Sequence, residues 1–186
     1  MTTPATPLTP HQQEMLACWQ RHMEAEFATF SVDDALATMT ENPTVNHVPV
    51  LTGGVGREAV EAFYAQHFIG QLPPDAEMVP IAQTIGDDRL VEELVLRFTH
   101  TRVIDWLVPG IAPTGRSVEV AIIAVVQFEE GKIAQERIYW DQATVLAQLG
   151  LLDASMLPVA GAESAHKVLD PMLPANTLIA RARQGQ

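Results

Sequence analysis

Residues 117–152 read SVEVAIIAVVQFEEGKIAQERIYWDQATVLAQLGLL, and this stretch decides the fold. Positions 118–128 are rich in β-branched residues and apolar at odd and even places alike, the pattern of a strand whose faces both avoid water. Glu129-Glu130-Gly131-Lys132 is a tight turn in which Gly131 supplies positive φ. A second strand then alternates, with Ile133, Gln135, Arg137 and Tyr139 on one face and Ala134, Glu136, Ile138 and Trp140 on the other. Alternation alone does not decide which of these faces looks inward. Asp141 follows at the junction with a short helix, residues 142–149. There it is both a natural N-cap and a carboxylate delivered to a strand end.

Working outward, residues 78–85, 90–101 and 102–108 read as further strands. The first two are joined at Gly86-Asp87-Asp88, and a Gly- and Pro-bounded connection, residues 110–116, leads into the pair above. Short turns between consecutive strands imply an antiparallel meander. Three helices come first. Residues 11–30, capped by Thr9, carry the apolar stripe Met15, Leu16, Trp19, Met23 and Phe27. A second helix starts at Ser31, runs to residue 39 and stops at Asn42-Pro43. The third, residues 57–69, carries Val60, Phe63, Tyr64, His67 and Phe68. Between the last two lies a short strand, 44–51, where Pro49 marks an edge, an end or a bulge. Helices early and strands late make the chain α+β: a curled antiparallel sheet packed around N-terminal helices. We read residues 1–10 as a loose arm, 11–152 as the domain, and 153–186 as a C-terminal extension packing on its own subunit or a partner's.

Composition narrows the function classes. A formal net charge of −12 argues against nucleic acid or an anionic membrane as partner, since both need clustered Lys and Arg. The longest apolar run, residues 120–126, is far short of the ~20 residues of a membrane helix. The opening MTTPATPLTP is no signal peptide, and the single cysteine, Cys18, forms no internal disulfide; a cytoplasmic location is expected. Gly53, Gly54 and Gly56 lack the GK[ST] ending of a phosphate loop. His47, His67 and His100 lack metal-ligand spacing, so no metal is expected.

Two patterns then carry a resemblance. One is Gly110-Ile-Ala-Pro-Thr-Gly-Arg116 before a long apolar strand. The other is Gly131-Lys-Ile133, Glu136, Trp140-Asp141 and Leu146-Ala-Gln-Leu-Gly-Leu-Leu152. Over residues 11–152 the chain resembles the nuclear transport factor 2-like fold, and within it the SnoaL-like branch of polyketide-cyclase-related, or ester cyclase, proteins. That resemblance implies a cone-shaped sheet around a helix, an apolar pocket, frequent homodimers and cofactor-free catalysis, with the acid/base at the position of Asp141. The cyclases place a His on the preceding strand; here Gln127 is the nearest polar residue. A hydrolase of the dienelactone type would need a Cys nucleophile on a strand-to-helix elbow, and Cys18 lies in a helix.

The expected chemistry is proton transfer, because a carboxylate in an apolar pocket can act as acid or base near neutral pH. Asp141 is the expected acid/base and His47 its second group. Tyr64, His67, Asp105, Trp106, Tyr139 and Trp140 are expected to contact the substrate, Asp105 as a second carboxylate opposite Asp141. The substrate would be a small, largely apolar carbonyl compound or epoxide undergoing cyclisation, isomerisation or hydration. The alternative is a binding or assembly module of the same fold without chemistry.

Overall fold

A computed structural model describes residues 7–155 and 157–184; most of the expected N-terminal arm, residues 1–6, and Met156 of the extension lie outside the described residues. Helix α1 (Pro10–Phe27) opens with a reciprocal cap: Gln12 N–H donates to Thr9 Oγ1 at 3.2 Å, and Thr9 N–H donates to Gln12 Oε1 at 2.9 Å. This satisfies two of the free donors at a helix start. Ser31 caps α2 (Val32–Ala37). The chain then enters β1 (Met39–His47) and β2 (Thr52–Val55), followed by α3 (Arg57–Phe63). Strands β3 (Glu77–Ile85), β4 (Arg89–Thr99), β5 (Ser117–Glu129) and β6 (Lys132–Trp140) follow. Helices α4 (Gln142–Gln148), α5 (Glu163–Leu169) and α6 (Thr177–Gln184) complete the described chain.

The six strands form one curled, unclosed sheet in the order β2-β1-β6-β5-β4-β3, so the α+β architecture is as expected. Its inner face holds Leu90, Leu94, Leu96 and Phe98 of β4, and Val118, Val120, Ile122, Ala124 and Val126 of β5, against α1 and α3. Gly131 takes φ +76° in the β5–β6 turn.

Four local expectations are corrected. Not all of the sheet is antiparallel: β1 runs parallel to β6, Val45 opposite Glu136 and His47 opposite Ile138. The long connection through α3, β3, β4 and β5 allows that parallel pairing. The first strand begins at Met39, and Asn42-Pro43 lies inside it. Pro43 is accommodated at the register shift between Met39 and Thr44, where no ladder N–H is required. The glycine-rich residues 52–55 are not a turn but the edge strand β2. A Cβ on Gly54 would come within 2.6 Å of the Ala59 backbone, so glycine lets α3 pack onto the strand. Residues 102–108 form turns, although Ile104, Trp106, Leu107 and Val108 are buried. The β4–β5 pairing ends at Thr99–Ser117. Beyond it the chain is tied by Arg102 to the Gly70 carbonyl (3.1 Å) and by the Asp105 N–H to Gln71 Oε1 (2.8 Å). An apolar run that plugs the open end of a sheet has the composition of a strand without a strand's neighbours.

The outer face of β5 is less protected than its composition implies, with Ile123 41% exposed. The extension covers one end of it. There Ala165 of α5 is fully buried and His166 Nε2 lies 3.1 Å from Glu119 Oε1. Among the described residues, no helix is long and apolar enough to cross a membrane.

Candidate active site

The cone encloses a pocket between α1, α3 and the inner sheet face, with about 600 Å³ of empty space counting its mouth. The cavity proper is about 70 Å³, a narrow slot. Most of its wall is apolar: Trp19, Phe27, Val45, Phe68, Leu94 and Ile122 are typical. Glu92 also lines it, accepting from Trp19 Nε1–H at 3.0 Å; the remaining polar residues fall into two groups.

The first group starts from α1. Cys18, His22 and Glu26 recur every four residues, and all are buried, so the helix turns a polar pair into the cone. Leu16, Met23 and Phe27 of the expected stripe are only partly buried. Across from this pair, Glu136 projects inward from β6, which settles the parity: the face with Glu136, Ile138 and Trp140 lines the interior. The fourth member, Tyr64, begins a π-helical turn, Tyr64–Phe68, that widens the end of α3 and is closed by Ile69 N–H donating to the Tyr64 carbonyl at 3.0 Å. Such bulges re-aim side chains, and here Tyr64 is completely buried.

The four groups converge on one atom. His22 Nε2 lies 3.0 Å from Glu26 Oε1, 3.1 Å from Glu136 Oε1 and 3.2 Å from Tyr64 Oη. Glu26 Oε1, although that close, makes no aligned hydrogen bond, because a single Nε2–H cannot point at three oxygens. The other ring nitrogen is fixed. Thr38 Oγ1 donates its own hydrogen to the Ala35 carbonyl at 2.6 Å, so it accepts from His22 Nδ1–H at 2.7 Å. Trp19 stacks on the ring with centroids 5.7 Å apart.

Burial works to strip the proton from His22, but the Glu26 and Glu136 carboxylates more than offset it and hold the imidazole well above its ordinary 6.5. Burial raises the Glu26 carboxyl above its usual range, with His22 opposing and Glu136 reinforcing. Burial, then Glu136 and Glu26, also push the Tyr64 phenol well up, keeping it a neutral donor. An imidazolium beside two ionised carboxylates would leave one uncompensated negative charge out of water, so the cluster favours holding a further proton on a carboxyl. Among the described residues, His22, Glu26 and Glu136 also form a set whose ligand atoms, all within 4.8 Å of one another, could share a cation.

The second group sits farther along the sheet. His47, two residues beyond Val45 on β1, is 2% exposed and boxed by Phe63, Phe68, Trp106 and Trp140, with ring centroids 5.1–5.8 Å away. Burial lowers its pKa from 6.5 to about 4, against weaker pulls from Glu136 and from the Thr52 backbone, so it is neutral. Among the described residues, its Nδ1 and the Nε1 of Trp106 have no hydrogen-bond partner.

The remaining expected residues lie elsewhere. Asp141 is exposed and caps α4: Oδ1 accepts from Ala143 N–H (2.9 Å) and Thr144 N–H (3.3 Å), while Oδ2 accepts from the Thr144 hydroxyl (2.8 Å). It does not line the pocket. Asp105 faces His67 rather than Asp141, at 3.1 Å between Oδ2 and Nδ1, with the His67 side chain half exposed. Tyr139 is 41% exposed on the outer sheet face. Trp140 backs the box and donates to Gln142 Oε1 at 2.6 Å. Of the expected site residues, His47, Tyr64 and Trp106 line the pocket. Glu136 was expected only as a member of one face of its strand, and His22 and Glu26 were missed. The signal that could have found them is their place, one helical turn apart, in register with Cys18 on a face that is otherwise apolar.

The fold has relatives among solved structures. A SnoaL-like protein from Jannaschia sp. CCS1 superimposes with a TM-score of 0.64 at 19% identity, over 80% of this chain and 100% of that one. TsrD from Streptomyces laurentii gives 0.58 at 17% identity, over 78% and 100%. A protein of ketosteroid isomerase-like fold from Catenulispora acidiphila, solved with trimethylamine, gives 0.55 at 15% identity, over 78% and 96%. At such identities the likeness shows the fold alone. No curated protein matches the sequence. The family described as SnoaL-like polyketide cyclase matches residues 10–149, which span the whole cone from α1 to α4, and the chain belongs to that family.

Proposed function

We propose that this chain is an enzyme that moves a proton on a small, largely apolar carbonyl compound held in the slot, in a reaction of the isomerase or cyclase type. The observation that carries the reading is the convergence of Glu26, Glu136 and Tyr64, which line the apolar pocket, on His22 buried just behind them. Glu136 is the base in this reading. Glu26, held proton-rich by burial, is the acid, and His22 and Tyr64 steady the charge that passes between them. Paired groups whose environments separate their proton affinities are how acid and base coexist at one pH. The role first expected of Asp141 falls to Glu136, five residues earlier and within β6, since the oxygens of Asp141 are engaged in capping.

The test is solvent exchange. Small neutral ketones and cyclic enones are incubated in D2O and their C–H sites followed by NMR. Acceleration by the native chain, reduced ~10²- to 10⁴-fold in Glu136→Gln, supports the reading; equal rates for the two proteins contradict it. If activity instead disappears with a chelator and returns with added Zn²⁺ or Mn²⁺, the three ligand residues hold a cation and proton transfer is not their first task.

A second reading, a binding module without turnover, draws on the narrowness of the slot. It predicts ligand retention without exchange.

A further inference from the structure

At the His47 end of the pocket, two buried polar atoms are left over. Trp106 Nε1–H is a donor only, and His47 Nδ1 is donor or acceptor according to tautomer; neither has a partner. The cause is local. The four rings around His47 offer no acceptor, and Trp140, the one other N–H in the box, is already committed to Gln142. The two unpartnered rings are 5.1 Å apart, and both line the slot. Buried polar atoms without partners are rare and call for a reason, and here the pair stands in the wall of a cavity. We propose that Trp106 and His47 form a recognition site for an uncharged oxygen acceptor of the ligand, such as a ketone, ester or amide carbonyl. Trp106 donates to the oxygen, and the His47 ring supplies a second neutral contact. An anion is disfavoured because His47 carries no charge there and the other walls are aromatic.

The register sets a spacing. Val45 lies opposite Glu136 and His47 opposite Ile138, so the acceptor site is displaced from the carboxylates by two residues along the strand, about 6–7 Å. The ligand therefore has its oxygen at one end and its reacting carbon at the other, with a slim body between. The reacting end rests on the function proposed above; the acceptor site does not.

Binding alone tests it. The chain has three tryptophans; Trp19 and Trp140 already donate, to Glu92 and Gln142, so their indole N–H signals are internal controls. Acetophenone, ethylbenzene and benzoate are titrated into the full-length protein and followed by ¹H–¹⁵N correlation spectra. We expect acetophenone to move the Trp106 signal, leave the controls nearly still, and bind about tenfold more tightly than ethylbenzene, the worth of one hydrogen bond. Benzoate should bind most weakly. Trp106→Phe should erase the tenfold advantage, and His47→Phe should reduce it if the Trp106 variant does not fold. Equal affinity for acetophenone and ethylbenzene, tightest binding of benzoate, or a Trp106 signal unmoved up to the solubility limit overturns the proposal. Glu136→Gln should keep the acetophenone preference. A Trp106 response with no exchange activity in the native chain would sink the catalytic reading and leave the acceptor site standing.

Discussion

Two of the buried histidines, His22 and His47, hold opposite charge states. His22 sits among Glu26, Glu136 and Tyr64; His47 sits among Phe63, Phe68, Trp106 and Trp140. Loss of water alone would neutralise both. Carboxylates at 3.0 and 3.1 Å overturn that outcome for His22, whereas His47 feels Glu136 only as a weaker, more distant pull. Burial thus says little about a histidine until the oxygens around its ring are counted. The same difference divides the pocket into an end that stores protons and an end that can offer neutral hydrogen bonds.

The largest effect is expected at His22. His22→Leu leaves two carboxylates facing each other in the core without their cation, and removing one partner of a buried ion pair costs about 3–5 kcal/mol. Chemical denaturation at pH 7 should show a loss of that size, and Glu26→Gln added to His22→Leu should recover part of it. Equal stability of His22→Leu and the native chain would mean that the cluster is not charged.

His47 gives the next largest effect, with the opposite sign in pH. Its folded value, about 4, lies below the unfolded 6.5, so the residue costs nothing above pH 6.5. As pH falls from 6.5 toward 4 the unfolded chain takes up a proton that the folded chain refuses, a loss on the order of 3 kcal/mol. His22, with its folded value raised, contributes stability that is complete below 6.5 and is lost as pH climbs from there through the raised folded value. Denaturation curves from pH 7 to 4 should therefore fall less steeply for His47→Gln than for the native chain. Parallel curves would contradict a neutral His47.

Asp141 sharpens the comparison from outside. As a helix cap it is worth ~1 kcal/mol. Asp141→Ala should lose about that much stability, Asp141→Asn only a few tenths, and neither should alter exchange activity. A large fall in activity for Asp141→Asn would return the catalytic role to the strand end.

How much of this was legible in the sequence follows from which interactions are local. The Thr9 cap, the Gly131 turn, the β3–β4 and β5–β6 hairpins and the Asp141 cap all depend on residues a few positions apart, and each is found where the pattern places it. The parallel β1–β6 pairing and the plug at residues 102–108 depend on partners far along the chain, and composition could not distinguish a buried plug from a buried strand. The site suffered most. Its members come from α1, the end of α3 and β6, and α1 bears the decisive pair, His22 and Glu26, on a face that reads as core. The parity of β6 was undecidable in isolation; once Val45 and Glu136 stand opposite each other, the inward residues follow.

Long-range ¹H–¹⁵N correlation of the imidazole rings at pH 7 tests the opposite protonation of His22 and His47. The account predicts His22 with both nitrogens protonated and His47 as a single neutral tautomer, with His47→Gln and His22→Leu assigning the signals. A neutral His22, or both rings titrating together near 6.5, would contradict it.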